Sequence, residues 1–206
     1  VNVIQVETHF NDAVPLSTYI EWKTNLALAI AACQALGVEK TVALKGMERS
    51  NPDFGALKIW HVKQPKEPNR RWSLVSAFAA NDPISTGEVL KRIQTQWSSG
   101  IVGILNLRAD RADRSQQWYH ALLGERFNGV FSHLLLVGHA PYALVFKLIR
   151  HYNGVVEVIP KTDPQVITKK AFLCLPNGGI IFGFGNIKGV GAALVEYWAQ
   201  IGSNDC

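Results

Sequence analysis

Ile101-Val102-Gly103-Ile104-Leu105-Asn106 is a short apolar run that passes directly into Leu107-Arg108-Ala109-Asp110-Arg111-Ala112-Asp113-Arg114. An unbroken apolar run of this length reads as a strand buried on both faces. The charged residues after it then stand at a strand's carboxyl end, where open α/β sheets build their ligand crevice. A helical pattern over 114–123 follows, so the unit is strand, polar turn, helix.

The same alternation extends in both directions. Candidate strands are Ala56–Lys63, Trp72–Phe78, Ile101–Asn106, His133–Val137, Val155–Ile159, Ala171–Leu175 and Ile180–Phe184, and candidate helices cover 85–97, 114–123, 141–151 and 191–201. Strand followed by helix, repeated, predicts an α/β fold with a Rossmann-like, mostly parallel sheet and helices on both faces. Ser85 and Glu88 have capping-box spacing, with Val89, Leu90, Ile93 and Trp97 on one apolar face. The polar stretch from Gln64 to Arg71 reads as a hairpin tip. Upstream, Trp22, Leu26, Ala29, Ile30, Cys33 and Leu36 have helical spacing over 19–36, Gly37 is a helix stop, and a second short helix is expected from Thr41 to Arg49. Ser50-Asn51-Pro52-Asp53-Phe54-Gly55 reads as a linker. It divides a short helical segment, 1–50, from an α/β domain, 51–206.

The 206 residues are 48% apolar and 18% charged, a balance that buries a core without a metal or partner. No apolar run approaches the roughly 18 residues that span a bilayer and no signal segment opens the chain, so the expected compartment is the cytoplasm. Cys33, Cys174 and Cys206 match no zinc spacing and are read as reduced, the first two buried. His9 and His61 form no ligand pair, so no metal site is expected. The net charge of +5 favours anionic partners such as nucleotides, polyacids or membrane surfaces. A solvated basic face is the alternative.

Three polar clusters follow apolar runs. Asn81-Asp82-Pro83 is either a ligand-facing turn or a plain strand-to-helix turn in which Asp82 complements the helix dipole. In Asn106 to Arg114, Arg108, Arg111 and Arg114 can bind phosphate or carboxylate while the aspartates hold them, Asp110 being expected to fix Arg111. A surface ion-pair network is the other reading. Gly183-Phe184-Gly185-Asn186-Ile187-Lys188-Gly189-Val190-Gly191 lets backbone N–H groups approach an anion, with Lys188 adding charge. It fits neither the dinucleotide fingerprint nor the phosphate loop, and a tight turn explains it equally. His139, at the end of the His133–Val137 run, can act as an acid or base near neutral pH or simply bond locally.

Together these segments resemble the ligase subunit of poly-γ-glutamate synthase, the CapB or PgsB type within the Mur ligase superfamily. The resemblance spans nearly the whole chain. It is carried by Asn25-Leu26-Ala27-Leu28-Ala29, by Thr41 to Met47, by the Asn51–Gly55 linker, by Ala77 to Pro83, by Asn106 to Arg111 and by Gly185 to Gly189.

The resemblance implies that 1–50 is the tail of a central ATPase domain and 51–206 a C-terminal ligase domain that closes over the nucleotide. By the same likeness, Asn25 meets the adenine, while Asn81, Asp110 and Arg111 face nucleotide and substrate. The implied reaction is ATP-dependent amide formation on glutamate or poly-γ-glutamate through an acyl phosphate, using ATP and Mg held mainly by a domain absent from this chain. The implied partners are a nucleotide, a glutamate-type substrate, the missing ATPase domain or chain, and membrane-bound synthase subunits at the inner face of the membrane. No nucleic acid is expected.

Two departures from the family pattern stand out. Ala80 occupies the position where many Mur ligases carry histidine, and no phosphate loop lies upstream, so this chain alone is expected to be inactive towards ATP. A trimmed fragment, a natural short form and one half of a split enzyme all fit that pattern. The rival expectation is a non-catalytic module that grips an acidic polymer or a membrane-bound partner through its basic face.

Overall fold

Ile101–Leu107 and Gly179–Gly185 have every residue buried and lie side by side as neighbouring parallel strands, with Ile101 opposite Ile180 and Asn106 opposite Gly185. The remaining elements follow from covering both faces of this pair. The computed structural model describes residues 23–49, 57–64, 67–96 and 100–203. The linker at Ser50–Gly55, Trp22, Trp97, His9 and Cys206 lie outside them. The chain divides into two compact units, residues 1–57 and 58–205.

In the first unit, helices α1 (Lys23–Ala35) and α2 (Lys40–Glu48) bury Leu26 and Ile30, against which Leu44 and Met47 pack. The buried face of α1 is Leu26, Ala27 and Ile30, the i, i+1, i+4 stripe of a helix. Ala29 is exposed and Leu36, beyond the helix end, is 84% exposed, which corrects the face expected from spacing.

The second unit runs β1 (Lys58–Gln64), β2 (Glu67–Ser76), α3 (Pro83–Gln96), β3 (Ile101–Leu107), α4 (Ala112–Leu123), β4 (His133–Gly138), α5 (Tyr142–His151), β5 (Val155–Val158), α6 (Pro164–Cys174), β6 (Gly179–Gly185) and α7 (Val190–Ile201). The sheet order is β1-β2-β6-β3-β4-β5, antiparallel at β1–β2 and parallel elsewhere. The mixed α/β fold with a mostly parallel sheet therefore stands as expected. One run differs: Ala171–Leu175 is the end of helix α6, not a strand. Asp163 caps that helix, its carboxylate accepting from the Gln165 N–H at 2.8 Å, and Pro164 occupies the first turn. Ile167, Thr168 and Ala171 form its buried stripe. The apolar run at its end is too short for periodicity to separate strand from helix.

The two faces of the sheet are packed differently. On one, Trp118, Phe127, Phe131, Phe182 and Phe184 form a continuous aromatic layer beneath α4, with Phe131 and Phe184 stacked at 5.2 Å and Trp118 edge-on to Phe184 at 5.1 Å. Gly103 faces Phe131 so closely that a Cβ would meet its ring at 2.9 Å. On the other face, α6 and α7 cover Leu74, Val102, Ile104, Leu135 and Ile181, with Trp198 central and its indole N–H donated to Thr168 at 2.9 Å. Trp72 likewise donates to the Leu175 carbonyl. After α7, Ser203 exchanges two backbone hydrogen bonds with His61 on β1, at 2.9 and 3.0 Å. Cys33 and Cys174 are free and half-buried rather than buried. Among the described residues no helix is long and apolar enough to cross a membrane.

Tyr152, directly after α5, ties this scaffold together: its hydroxyl accepts from the Phe131 N–H at 3.0 Å and lies 3.2 Å from the carbonyls of Phe127 and Phe131. Burial pushes its pKa from 10.0 to about 12. The unfolded chain therefore releases this proton first, and the contribution to stability, complete below pH 10, is lost as pH rises towards 12. Tyr152→Phe is expected to cost about 1–3 kcal/mol in urea unfolding, because a buried N–H loses its partner. It should also flatten the decline in stability on the alkaline side.

Candidate functional site

β3 and β6 are neighbours, yet the chain leaves them in opposite directions, β3 into α4 on the aromatic face and β6 into α7 on the other. Such a switch point opens a crevice beyond the carboxyl ends of the two strands. Here it is an open cleft lined by Asn81, Asn106, Leu107, Arg108, Arg111, Arg114, Ser115, Trp118, Gly185 and Asn186.

One wall is the turn from β3 into α4. Arg108 is held by Asp110, its Nε donating to one carboxylate oxygen at 2.8 Å and a terminal nitrogen to the other. Asp110 thus pairs with Arg108, which corrects the expected Asp110–Arg111 pair. The two residues are separated by a single position, and the turn brings their side chains into bidentate register. The hydrogen bonds from Arg108 hold the Asp110 carboxyl below its usual range, against slight burial, and the nearby charges of Arg108 and Arg111 lower it further. Arg111 is the N-cap position of α4, and Arg114 donates to the Gln117 side-chain oxygen at 3.3 Å. Ser115 and the buried Trp118, on the same helix, continue this wall. Neither was singled out from sequence, although 111, 114, 115 and 118 fall on one helical stripe once Arg111 starts the helix.

The opposite wall is the turn from β6 into α7. Gly185 has φ +98°, and a Cβ there would meet the Asn106 carbonyl at 2.6 Å, so only glycine fits. Asn106 is 2% exposed, and its side-chain amide donates to the carbonyls of Asn186 at 2.6 Å and Lys188 at 2.9 Å. Its backbone carbonyl accepts from the Asn186 N–H at 3.0 Å. The side-chain oxygen of Asn186 in turn accepts the Lys188 N–H at 2.9 Å. Lys188 gives the turn its backbone, while its side chain is exposed and does not line the cleft.

The remaining expected residues are distributed unevenly. Asn81 reaches the cleft rim. Asp82 is the cap of α3, accepting the N–H groups of Ile84 at 2.9 Å and Ser85 at 3.0 Å, so the helix begins at Pro83 and Ser85 lies within its first turn. This replaces the capping box expected at Ser85. His139 is exposed, its backbone N–H bonded to the Leu107 carbonyl at 3.0 Å, and it stands outside the cleft lining. Asn25 is on the exposed side of α1 in the other unit.

The cleft lining therefore combines three guanidinium groups with amide groups and contains no carboxylate. Among the described residues no group of three or more His, Cys, Asp or Glu converges. The lining is chemically suited to oxyanions.

A family model described as the poly-gamma-glutamate synthase CapB C-terminal domain matches residues 62–201. Among curated proteins, the chain is 31% identical over 185 residues to PGA synthase CapB of Bacillus subtilis (strain 168), covering 86% of this chain and 44% of that protein. It is 35% identical over 107 residues to the capsule biosynthesis protein CapB of Bacillus anthracis, covering 51% and 22%. The chain thus spans less than half the length of these curated relatives. Among solved structures, MurF from Acinetobacter baumannii aligns at TM-score 0.56 and 16% identity, over 84% of this chain and 37% of that one. Mycobacterium tuberculosis folylpolyglutamate synthase, solved with ADP and AMPPCP, aligns at TM-score 0.57 and 14% identity, over 88% and 40%. At these identities the two structures show a shared fold.

Asp82 offers a direct check on the local electrostatics. Burial opposes its ionisation, but hydrogen bonds from Ser85 and Ile84 and the charge of Arg114 together hold its pKa below 3.8. Its contribution to stability is present above that pH and is lost as pH falls through the lowered value. Asp82→Ala is expected to cost about 1 kcal/mol by thermal melting at neutral pH, and Asp82→Asn less, since asparagine still caps.

Proposed function

Because the chain belongs to the family of poly-gamma-glutamate synthase CapB C-terminal domains, we propose that it is the closing domain of an ATP-dependent carboxylate–amine ligase acting on glutamate or poly-γ-glutamate. The observation that carries this reading is the convergence of Arg108, Arg111 and Arg114 in a carboxylate-free cleft at the β3–β6 switch point.

Bound ATP would supply the phosphoryl group that activates a carboxylate as an acyl phosphate, from which an attacking amine would displace phosphate to leave an amide. Both stages concentrate negative charge, and this chain's own residues answer that need. Arg111 and Arg114 present guanidinium groups that pair with phosphate or carboxylate oxygens in two-point fashion. Arg108, locked by Asp110, holds its charge in a fixed place, which favours orientation of an anion over its mere attraction. Trp118 and Leu107 exclude water from the base of the cleft. Magnesium does not fit this lining, which offers it no carboxylate ligand. In this reading the metal, the phosphate loop and the adenine contact expected of Asn25 belong with the ATPase part of the enzyme. Membrane-bound synthase subunits are the proposed further partners, with the enzyme at the inner face of the membrane.

Calorimetry with a non-hydrolysable ATP analogue tests the reading. Binding to this chain alone that is too weak for calorimetry to resolve, turning tight when the ATPase part is added, is the expected result. Arg111→Ala should lower the amide-forming rate of the assembled enzyme by about 10²–10³. Tight binding to the isolated chain, or an unchanged rate in the Arg111 variant, would sink the proposal. Salt-sensitive binding of poly-γ-glutamate with no nucleotide dependence would favour a binding module instead.

A further inference from the structure

Asn106 and Asn186 both border the cleft, and residue type alone gives them the same task. Their hydrogen bonds separate them. Asn106 is buried, and its amide donors are taken up by two carbonyls of the β6–α7 turn, at 2.6 and 2.9 Å. Two glycines make room for it: a Cβ at Gly138 would meet its side-chain oxygen at 2.7 Å, and a Cβ at Gly191 its side-chain nitrogen at 3.1 Å. Asn106 is therefore enclosed by β4, by the turn and by the start of α7. It has no donor left to offer a ligand.

Asn186 is the reverse case. Its side-chain oxygen is occupied by the Lys188 N–H at 2.9 Å, which fixes which end of the amide is which. The nitrogen end makes no hydrogen bond among the described residues, and the residue is half-buried in the cleft lining. It is a donor on the β6–α7 wall of the same cleft that the three arginines line. We infer that Asn106 is a positioning residue which locks the 186–188 turn, and that Asn186 is the oxyanion-contacting donor so positioned, making the cleft select a ligand with acceptor oxygens on two sides. This rests on the anion-binding reading of the cleft proposed above.

Selectivity follows from the chemistry of the two walls. A guanidinium wall alone attracts any anion. A fixed amide donor opposite it adds affinity only for a group whose oxygens reach both sides, such as a tetrahedral phosphoryl group, and a small flat carboxylate gains less.

The test uses inorganic triphosphate, with acetate as the flat comparison, titrated into the full chain by NMR, with amide hydrogen exchange measured in the free protein. Asn106→Ser should speed exchange of the Asn186 and Lys188 amides while leaving Leu105 and Leu136 as in the parent. It should also weaken triphosphate about tenfold, the effect of losing two hydrogen bonds. Gly191→Ala keeps the Asn106 side chain but presses a methyl group on the Asn186 carbonyl and, less closely, on the Asn106 nitrogen, so it disturbs the same lock from the other side and should reproduce both effects, and the test survives if the Asn106 variant does not fold. Asn186→Asp keeps the acceptor for Lys188, so exchange in the turn should stay near the parent rate, while triphosphate weakens at least tenfold and acetate much less.

Weakened triphosphate with parental turn exchange in Asn106→Ser would make Asn106 a contact residue and overturn the assignment. Faster exchange throughout the sheet would make it a plain stability residue, and unchanged binding by Asn186→Asp would remove Asn186 from the ligand. Absence of triphosphate binding by the parent chain would count against the anion-binding reading itself, while the exchange rates would still decide the role of Asn106.

Discussion

β3 and β6 are buried along their full length on both faces, and that burial is the constraint from which the remaining features follow. A strand enclosed in this way has nowhere to place a polar side chain except at its ends. In β3 the single exception, Asn106, sits at the last turn of the ladder, where the two chains diverge. Polar chemistry is thereby swept to one rim of the sheet, and the arginine turn and glycine turn meet there because their strands are hydrogen-bonded neighbours from Ile101–Ile180 to Asn106–Gly185.

The unequal packing of the two faces reinforces this arrangement. Stacked and edge-on rings beneath α4 form a stiff layer, since aromatic side chains have few rotatable bonds and prefer defined mutual angles. Trp118 belongs both to that layer and to the lining of the cleft. The arginine wall therefore rides on a helix whose underside is anchored in the aromatic layer. On the other face, Trp198 and Trp72 are each fixed by one indole hydrogen bond to α6 or to the residue after it, which secures the return path from β5 to β6.

Much of this architecture was legible in the sequence. The runs around Ile101 and Ile180 and the helical stripe of Val89, Leu90 and Ile93 are periodic enough to be read directly, and all of these side chains are buried. Ala171–Leu175 was not readable, because five apolar residues satisfy either period and the deciding signal, Asp163 followed by Pro164, lies two helical turns upstream of Ala171. The Ser85 start failed for a related reason: two capping patterns overlap, and Asp82 prevails because Pro83 is favoured in a first turn. Within the cleft, residue types pointed to the three arginines. They could not assign Asp110 to Arg108, nor show that Asn106 spends its donors on a turn eighty residues away, because both depend on backbone direction at the end of a strand.

The paired backbone hydrogen bonds between His61 and Ser203 also shape how this unit responds to mechanical load. Tension entering through the first strand and leaving after the last helix would pass across that antiparallel bridge at the outer edge of the sheet. The force would peel two bonds in sequence and spare the central strands. The weak point under pulling is thus set at the margin, three strands away from β3 and the walls of the cleft.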